Sequence, residues 1–190
     1  RWIHPAIDGF GAILKNNELP INQIREVQIF TFQKAANLEN SISPVSPEQA
    51  QFSIPFILGT VACFGIDNLL PLKTDLIGDQ AITAFGSKVK IEVDRDFESC
   101  FPKQTISRVV VKSDYGQFEE IVDYPWGDPK NPMARNDLQK KFRTLTRGWL
   151  TETDQIELIQ RASELREQTF SNFISLLGKR LSPVQTSPEQ

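Results

Sequence analysis

The chain has 190 residues, of which 39% are hydrophobic and 24% are charged, proportions that are typical of a globular protein with a sizeable core. Its formal net charge of -3 gives no electrostatic reason to expect a nucleic acid or a membrane surface as a partner. No signal peptide or transmembrane stretch is evident, and the two cysteines, Cys63 and Cys100, lack a CxxC spacing. We therefore expect a cytoplasmic protein with reduced thiols.

The first forty-five residues predict a helix, a strand and a loop. The helix begins within residues 4–8 and carries an apolar stripe of Ile7, Phe10 and Leu14. Residues 24–32 are rich in β-branched and aromatic side chains, which favours a strand. Residues 34–45 are polar and small, so we expect a long loop there.

The stretch from Ser46 to Gly65 predicts a central core helix. Ser46 is a favoured N-cap, Pro47 fits the first helical position, and Gln49 stands where a capping box has Glu or Gln. The rest of the stretch is apolar and almost uncharged. A helix that is apolar on nearly every side is buried on nearly every side, so we expect the remaining elements to pack around it.

The second half of the chain predicts short helices and strands, then two long amphipathic helices. In order, they are a helix over residues 79–87, a strand over 89–93, a hairpin of strands 106–112 and 117–122, an irregular loop over 125–132, a helix over about 135–150, and a last helix from about residue 151 to about residue 177. In the hairpin, Gly116 is placed to take a left-handed conformation.

This order of elements predicts an α+β fold in which a small, mostly antiparallel sheet has helices on one face. We divide the chain into an α+β domain (residues 1–132), helices that dock elsewhere (133–181) and a disordered tail (182–190). The chain starts at Arg1 and its only methionine is Met133, so we expect it to be part of a longer protein.

By motif alone, little in the sequence carries chemistry. The single histidine, His4, excludes a metal site built from several histidines of this chain. His4 and Asp8 are four residues apart, so they share a face of the first helix. A helix start disfavours the imidazolium, and a neutral imidazole in a cleft can act as a general base or bind a substrate. The alternative is that His4 caps the helix and Asp8 is solvated beside it.

Two other polar segments favour structural roles. The loop over residues 125–132 contains Asp-Pro and Asn-Pro turns, which favour a rigid connector over a substrate-facing loop. Lys140, Lys141 and Arg143 form a charge cluster on an amphipathic helix, which is typical of a solvated face, although Arg143 could pair with a carboxylate across an interface.

Three stretches together resemble the C-terminal half of the MmgE/PrpD family. They are HPAID at residues 4–8, EQAQFSIPF at residues 48–56, and GDPKNP at residues 127–132, which is followed by KFR at residues 141–143. They occur in the family's order and at about its spacing. The resemblance covers nearly the whole chain.

The resemblance implies an enzyme that acts on a small polycarboxylate without a metal or organic cofactor. The family includes 2-methylcitrate dehydratase, cis-aconitate decarboxylase and iminodisuccinate epimerase, which share proton transfer or cleavage next to a carboxylate. Its architecture implies a helical domain, absent from this chain, and a smaller α+β lid, with the active site between them. The last helices would return to the helical domain, and the protein would form a homodimer.

The resemblance also favours His4 as a catalytic residue, with His4 and Asp8 binding the substrate. Phe56 stands where some members have Tyr, so any role of that hydroxyl is lost here. The leading hypothesis is a lyase of the 2-methylcitrate dehydratase type. Two alternatives stay open, namely an epimerase, isomerase or decarboxylase of the same fold, and a non-catalytic module for assembly or binding.

Overall fold

The computed structural model describes residues 1–165 and, beyond them, residues 170, 173, 174, 177 and 178. The chain divides into two compact units, Arg1–Pro132 and Met133–Gln190. The helices are α1 (His4–Asn17), α2 (Gln33–Ala36), α3 (Pro47–Gln51), α4 (Ile54–Phe64), α5 (Gln80–Gly86), α6 (Arg95–Cys100), α7 (Arg135–Thr146) and α8 (Glu152–Ser163). The strands are β1 (Ile24–Thr31), β2 (Val89–Val93), β3 (Ser107–Ser113) and β4 (Gly116–Val122).

In the described residues, the strands form one four-stranded sheet in the order β2-β1-β3-β4. β1 runs antiparallel to β3, and β3 runs antiparallel to β4. Only the pairing of β1 with β2 is parallel, with Val27 opposite Val89. A parallel pair needs a long crossover, and here the crossover contains α2 to α5. The predicted α+β fold with a mostly antiparallel sheet is therefore confirmed.

One face of the sheet carries the core of the first unit. Val27 and Ile29 of β1 and Val109 of β3 are fully buried, in the same cluster as Phe10 of α1 and Leu58 of α4. These strand residues lie at alternate positions, so they point to the same face. α1 packs on β3 and β4, and α4 contacts β2. The prediction of helices on one face of the sheet is confirmed.

The opposite face of the sheet carries a group of charged side chains. Lys112 Nζ donates to Glu26 Oε1 at 2.8 Å, and Lys90 pairs with the other oxygen of the same carboxylate. These two hydrogen bonds hold the pKa of Glu26 below its usual value. Arg108 on the same face lies over the ring of Phe30, 4.0 Å from its centroid. The alternation of apolar and charged positions therefore separates the core face from a charged face.

The predicted central helix is interrupted, and this corrects the expectation of one continuous helix over residues 46–65. Ser46 caps α3 as predicted, because its Oγ accepts from the backbone N–H of Gln49 at 3.3 Å. α3 ends at Gln51, and Ser53 caps α4 by accepting from the N–H of Phe56 at 3.1 Å. Pro55 has no N–H that could donate a hydrogen bond to a carbonyl of the preceding turn. It therefore fits the first turn of a new helix better than a helix interior.

We expect Ser53→Ala to lower the free energy of unfolding by about 2 kcal/mol. The Ser53 hydroxyl is buried, caps α4 and donates to the carbonyl of Ser41 at 2.5 Å, so the substitution removes two hydrogen bonds. Urea denaturation measures the loss. Ser46→Ala is the matched control, because it removes a cap alone and should cost about 1 kcal/mol. Equal losses would mean that the bond to Ser41 contributes nothing.

Most other predicted elements agree with the structure, and the differences lie at short helices. The hairpin is present, with Gly116 at φ 122°, and so are the strand over residues 89–93 and the helix after Asp79. α2 occupies the start of the expected loop over residues 34–45. Asp94 does more than end β2, because its Oδ1 accepts from the N–H groups of Asp96 and Phe97 and so caps α6.

The second unit contains α7 and α8. α7 ends at Thr146, four residues before the predicted end at about residue 150. Thr151 caps α8 by accepting from the N–H of Asp154 at 3.2 Å. The predicted continuation to about Leu177 falls mostly outside the described residues, and the predicted tail over residues 182–190 lies wholly outside them. In the part of the chain that is described, none of the helices has the length and apolar character needed to cross a bilayer.

Candidate functional site

His4 is the first residue of α1. Ile3 holds the N-cap position, and Pro5 follows His4 in the first turn, where the missing N–H of proline costs nothing. The alternative that His4 caps this helix is therefore wrong. The His4 residue is exposed, whereas Pro5 and Ala6 beside it are buried and hold the start of α1 in place.

His4 lines a cleft of about 490 Å³ in the first unit. Its walls combine three polar or charged side chains with eight apolar ones. They are Arg1, Trp2, Ile3, His4, Ile7, Leu38, Gln51, Phe52, Ile57, Leu69 and Leu72.

Several segments that are distant in the sequence build this cleft. α1 and the residues before it provide one wall, and the segment after α2 adds Leu38. Gln51 and Phe52 come from the break between α3 and α4, and Phe52 keeps 51% of its surface exposed there. Leu69 and Leu72 face each other across a tight turn, in an isolated β-bridge. The break in the core helix thus shapes the cleft.

Asp8 does not line the cleft. Its Oδ2 accepts from the backbone N–H of Trp126 at 2.6 Å, which connects α1 with the loop over residues 125–132. Arg1 adds a second link to this loop through an ion pair with Asp128 at 3.7 Å. The structure therefore places His4 in the cleft and Asp8 against the loop, although they are one helical turn apart. A role of Asp8 in substrate binding stays a prediction.

Burial raises the pKa of Asp8 above its usual value, although the hydrogen bond from Trp126 and the charge of Arg1 oppose the effect. A raised folded-state pKa means that the folded protein binds more protons than the unfolded chain. The stability that Asp8 contributes is therefore complete below its unfolded-state value of 3.8 and falls as pH rises through the folded-state pKa.

We expect Asp8→Asn to weaken this pH dependence. The amide oxygen of Asn can still accept from Trp126, but it does not titrate. Urea denaturation between pH 3.5 and 7 should show the wild-type protein losing stability relative to the variant as pH rises. Asn16→Gln at the exposed C-terminal end of α1 is the control, because it changes no titrating group, and it should leave the wild-type profile in place. Parallel profiles for wild type and Asp8→Asn would contradict the prediction.

Two polar residues of the cleft, Arg1 and Gln51, are not among the site residues predicted from the sequence. Arg1 lies three residues before His4 in the sequence, and this proximity to a candidate histidine was the available signal. Gln51 was assigned to the interior of a continuous helix, which hid its position at the end of α3. Phe56 is 1% exposed and packs in a hydrophobic cluster with Ile57 and Ile82, so it belongs to the core.

The loop over residues 125–132 is held by its own hydrogen bonds. The N–H of Gly127 donates to the carbonyl of Asn131 at 2.8 Å, and Asn131 Nδ2 donates to the carbonyl of Tyr124 at 3.0 Å. These bonds fit the predicted rigid connector. Through Asp8 and Arg1, the loop also supports the start of α1 and thus the position of His4.

A second cleft lies within the second unit, between α7 and α8. Its walls are mostly apolar and include Leu138, Phe142 and Leu158, with Arg135 as a charged member. Leu138 is 54% exposed. This arrangement fits the predicted amphipathic character of the two helices, and their docking on another domain stays a prediction.

Within the residues that the structure describes, no group of three or more His, Cys, Asp or Glu side chains could hold a metal ion. The polar groups that line the His4 cleft are an imidazole, a guanidinium and an amide. An imidazole can accept a proton, and the other two groups can donate hydrogen bonds to a carboxylate.

A family model described as the MmgE/PrpD C-terminal domain matches residues 1–165. A search of curated proteins finds no match.

Proposed function

The chain belongs to the MmgE/PrpD family, and on this premise we propose that it is the C-terminal part of a cofactor-independent lyase acting on a small polycarboxylate. The reaction type is that of 2-methylcitrate dehydratase, a hydro-lyase. The observation that carries the proposal is the position of His4 in a cleft that also contains Arg1 and Gln51.

The three polar side chains suit proton abstraction next to a carboxylate. Arg1 and Gln51 donate hydrogen bonds to carboxylate oxygens and stabilise the negative charge that develops when the α-proton leaves. His4 accepts this proton. The electrons of the broken C–H bond form the C=C bond, and the hydroxyl group leaves as water with a proton from a general acid or from solvent.

We assign the rest of the catalytic set to a helical domain of the same protein, to which α7 and α8 return. On this proposal the first unit is a lid over the substrate, and the protein is a cytoplasmic homodimer. We assign Asp8 a positioning role, because it accepts a hydrogen bond from the N–H of Trp126 and so holds α1 against the loop over residues 125–132.

A proton-abstracting base serves elimination and epimerisation equally well, so an epimerase or a decarboxylase of the same fold is the second candidate. Nuclear magnetic resonance in D2O, with the full-length protein and a panel of citrate-like and aspartate-like acids, separates these reactions. Alkene signals together with disappearance of the resonance of the hydroxyl-bearing carbon support the dehydratase. Deuterium at the α-carbon without net loss supports the epimerase, and loss of CO2 supports the decarboxylase. A folded protein that changes no acid of the panel would favour a non-catalytic module.

A further inference from the structure

We infer that the substrate carries an alkyl arm longer than a methyl group, and that the apolar wall of the His4 cleft binds this arm. The inference rests on the proposed function, because it assigns to the same cleft a polycarboxylate whose charged end meets Arg1, His4 and Gln51.

The composition of the cleft is the first argument. Eight of its eleven lining residues are apolar, among them Trp2, Leu38, Phe52, Leu69 and Leu72. An unbranched polycarboxylate offers charged and hydroxyl groups on every side, and burying these against apolar walls without hydrogen bonds is unfavourable. An alkyl arm is the part of a carboxylic acid that gains from contact with such walls.

The second argument is that the apolar wall presents accessible surface. Phe52 is 51% exposed and Trp2 is 39% exposed, while Leu38, Leu69 and Leu72 are half-buried. They come from different segments of the chain, which fold so that apolar side chains converge on one cleft with His4. Phe52 stands at the break between α3 and α4, and the Leu69–Leu72 bridge fixes the two leucines in a turn.

The third argument is size. The cleft volume of about 490 Å³ lies within the range that accommodates drug-sized ligands. The core of a tricarboxylate is smaller than such ligands, so it leaves part of the cleft empty. An arm of several carbons extends the ligand along the apolar wall.

A homologous series of substrates tests the inference. The full-length protein is assayed with citrate and with its 2-methyl, 2-ethyl, 2-propyl and 2-butyl derivatives, by the absorbance of the alkene product. We expect kcat/KM to rise about fourfold for each added methylene, from methyl at least to propyl. Values that stay level or fall beyond methyl would overturn the inference and leave the proposed lyase intact. Turnover of none of these acids would instead count against the proposed function.

A variant locates the arm in this cleft. Phe52→Ser should reduce the gain for each methylene to less than twofold. Because half of the Phe52 surface is exposed, the substitution should leave the fold intact, which thermal denaturation checks. Phe64→Ser is the matched control, since Phe64 is 43% exposed and lies outside the lining of the cleft. The same steep series in both variants would overturn the assignment of the arm to this wall.

Discussion

Replacing His4 by alanine in the full-length protein is expected to lower kcat/KM by about tenfold or more. His4 is the one side chain of the cleft that can accept a proton near neutral pH, and Arg1 and Gln51 beside it can hold a carboxylate. The loss should appear mainly in kcat, because a base acts in the transition state, whereas substrate binding relies on the other two side chains. Steady-state kinetics on the acid identified in D2O measures both parameters.

Two further variants separate catalysis from position. His4→Gln keeps a hydrogen-bonding side chain but provides no base, so it should be as impaired as His4→Ala in kcat. Asn16→Ala, at the exposed end of the same helix, should behave like wild type. The pH profile of kcat/KM distinguishes a catalytic base from a structural residue. Protonation of a base lowers the wild-type kcat/KM at acidic pH, and this decrease should be absent in His4→Gln. Wild-type kinetics for His4→Ala would remove His4 from the site.

The sequence predicted those parts of the fold that local patterns determine. α1, β1 and the β3–β4 hairpin follow from apolar periodicity and from a glycine that takes a positive φ at the turn. The family resemblance rested on short stretches in a fixed order, and these contain both the start of α1 and the residues of the α3–α4 break. Local pattern and ordered motifs were therefore sufficient to predict the fold class, and they made His4 the candidate catalytic residue.

The cleft itself could not be predicted, because it depends on contacts between distant segments. The residues that line it extend from Arg1 to Leu72, and no local sequence pattern shows that they meet. The same holds for the hydrogen bond between Asp8 and the N–H of Trp126, which are 118 residues apart. The position of Gln51 in the cleft depends on α3 ending at Gln51 and on Ser53 starting a new helix, which an uninterrupted apolar run conceals. Arg1 becomes part of the cleft only when the folded chain places it beside the apolar wall.

The largest stability effect is expected at Gly59, in the middle of α4. A Cβ added there would lie 2.7 Å from the carbonyl oxygen of Ile82 and 3.0 Å from its Cγ2. The oxygen belongs to the backbone of α5, which cannot rotate away as a side chain could. α4 and α5 would have to separate, and both pack in the core of the first unit. Gly59→Ala should therefore lower the free energy of unfolding by about 2 kcal/mol, and Gly59→Val by about 3 kcal/mol or more.

Gly11 provides a control of opposite sign, because it is also inside a helix but an added Cβ there meets nothing within 4 Å. In Gly11→Ala no clash arises, and the remaining effect is the higher helix propensity of alanine. The free energy of unfolding should therefore rise by about 0.5–1 kcal/mol. Urea denaturation of the three variants and the wild type measures these differences under one set of conditions. If Gly59→Ala gained stability as Gly11→Ala does, α4 and α5 would not approach each other as closely as described. The opposite signs would show that the close approach of the two helices, rather than helix propensity, requires glycine at position 59.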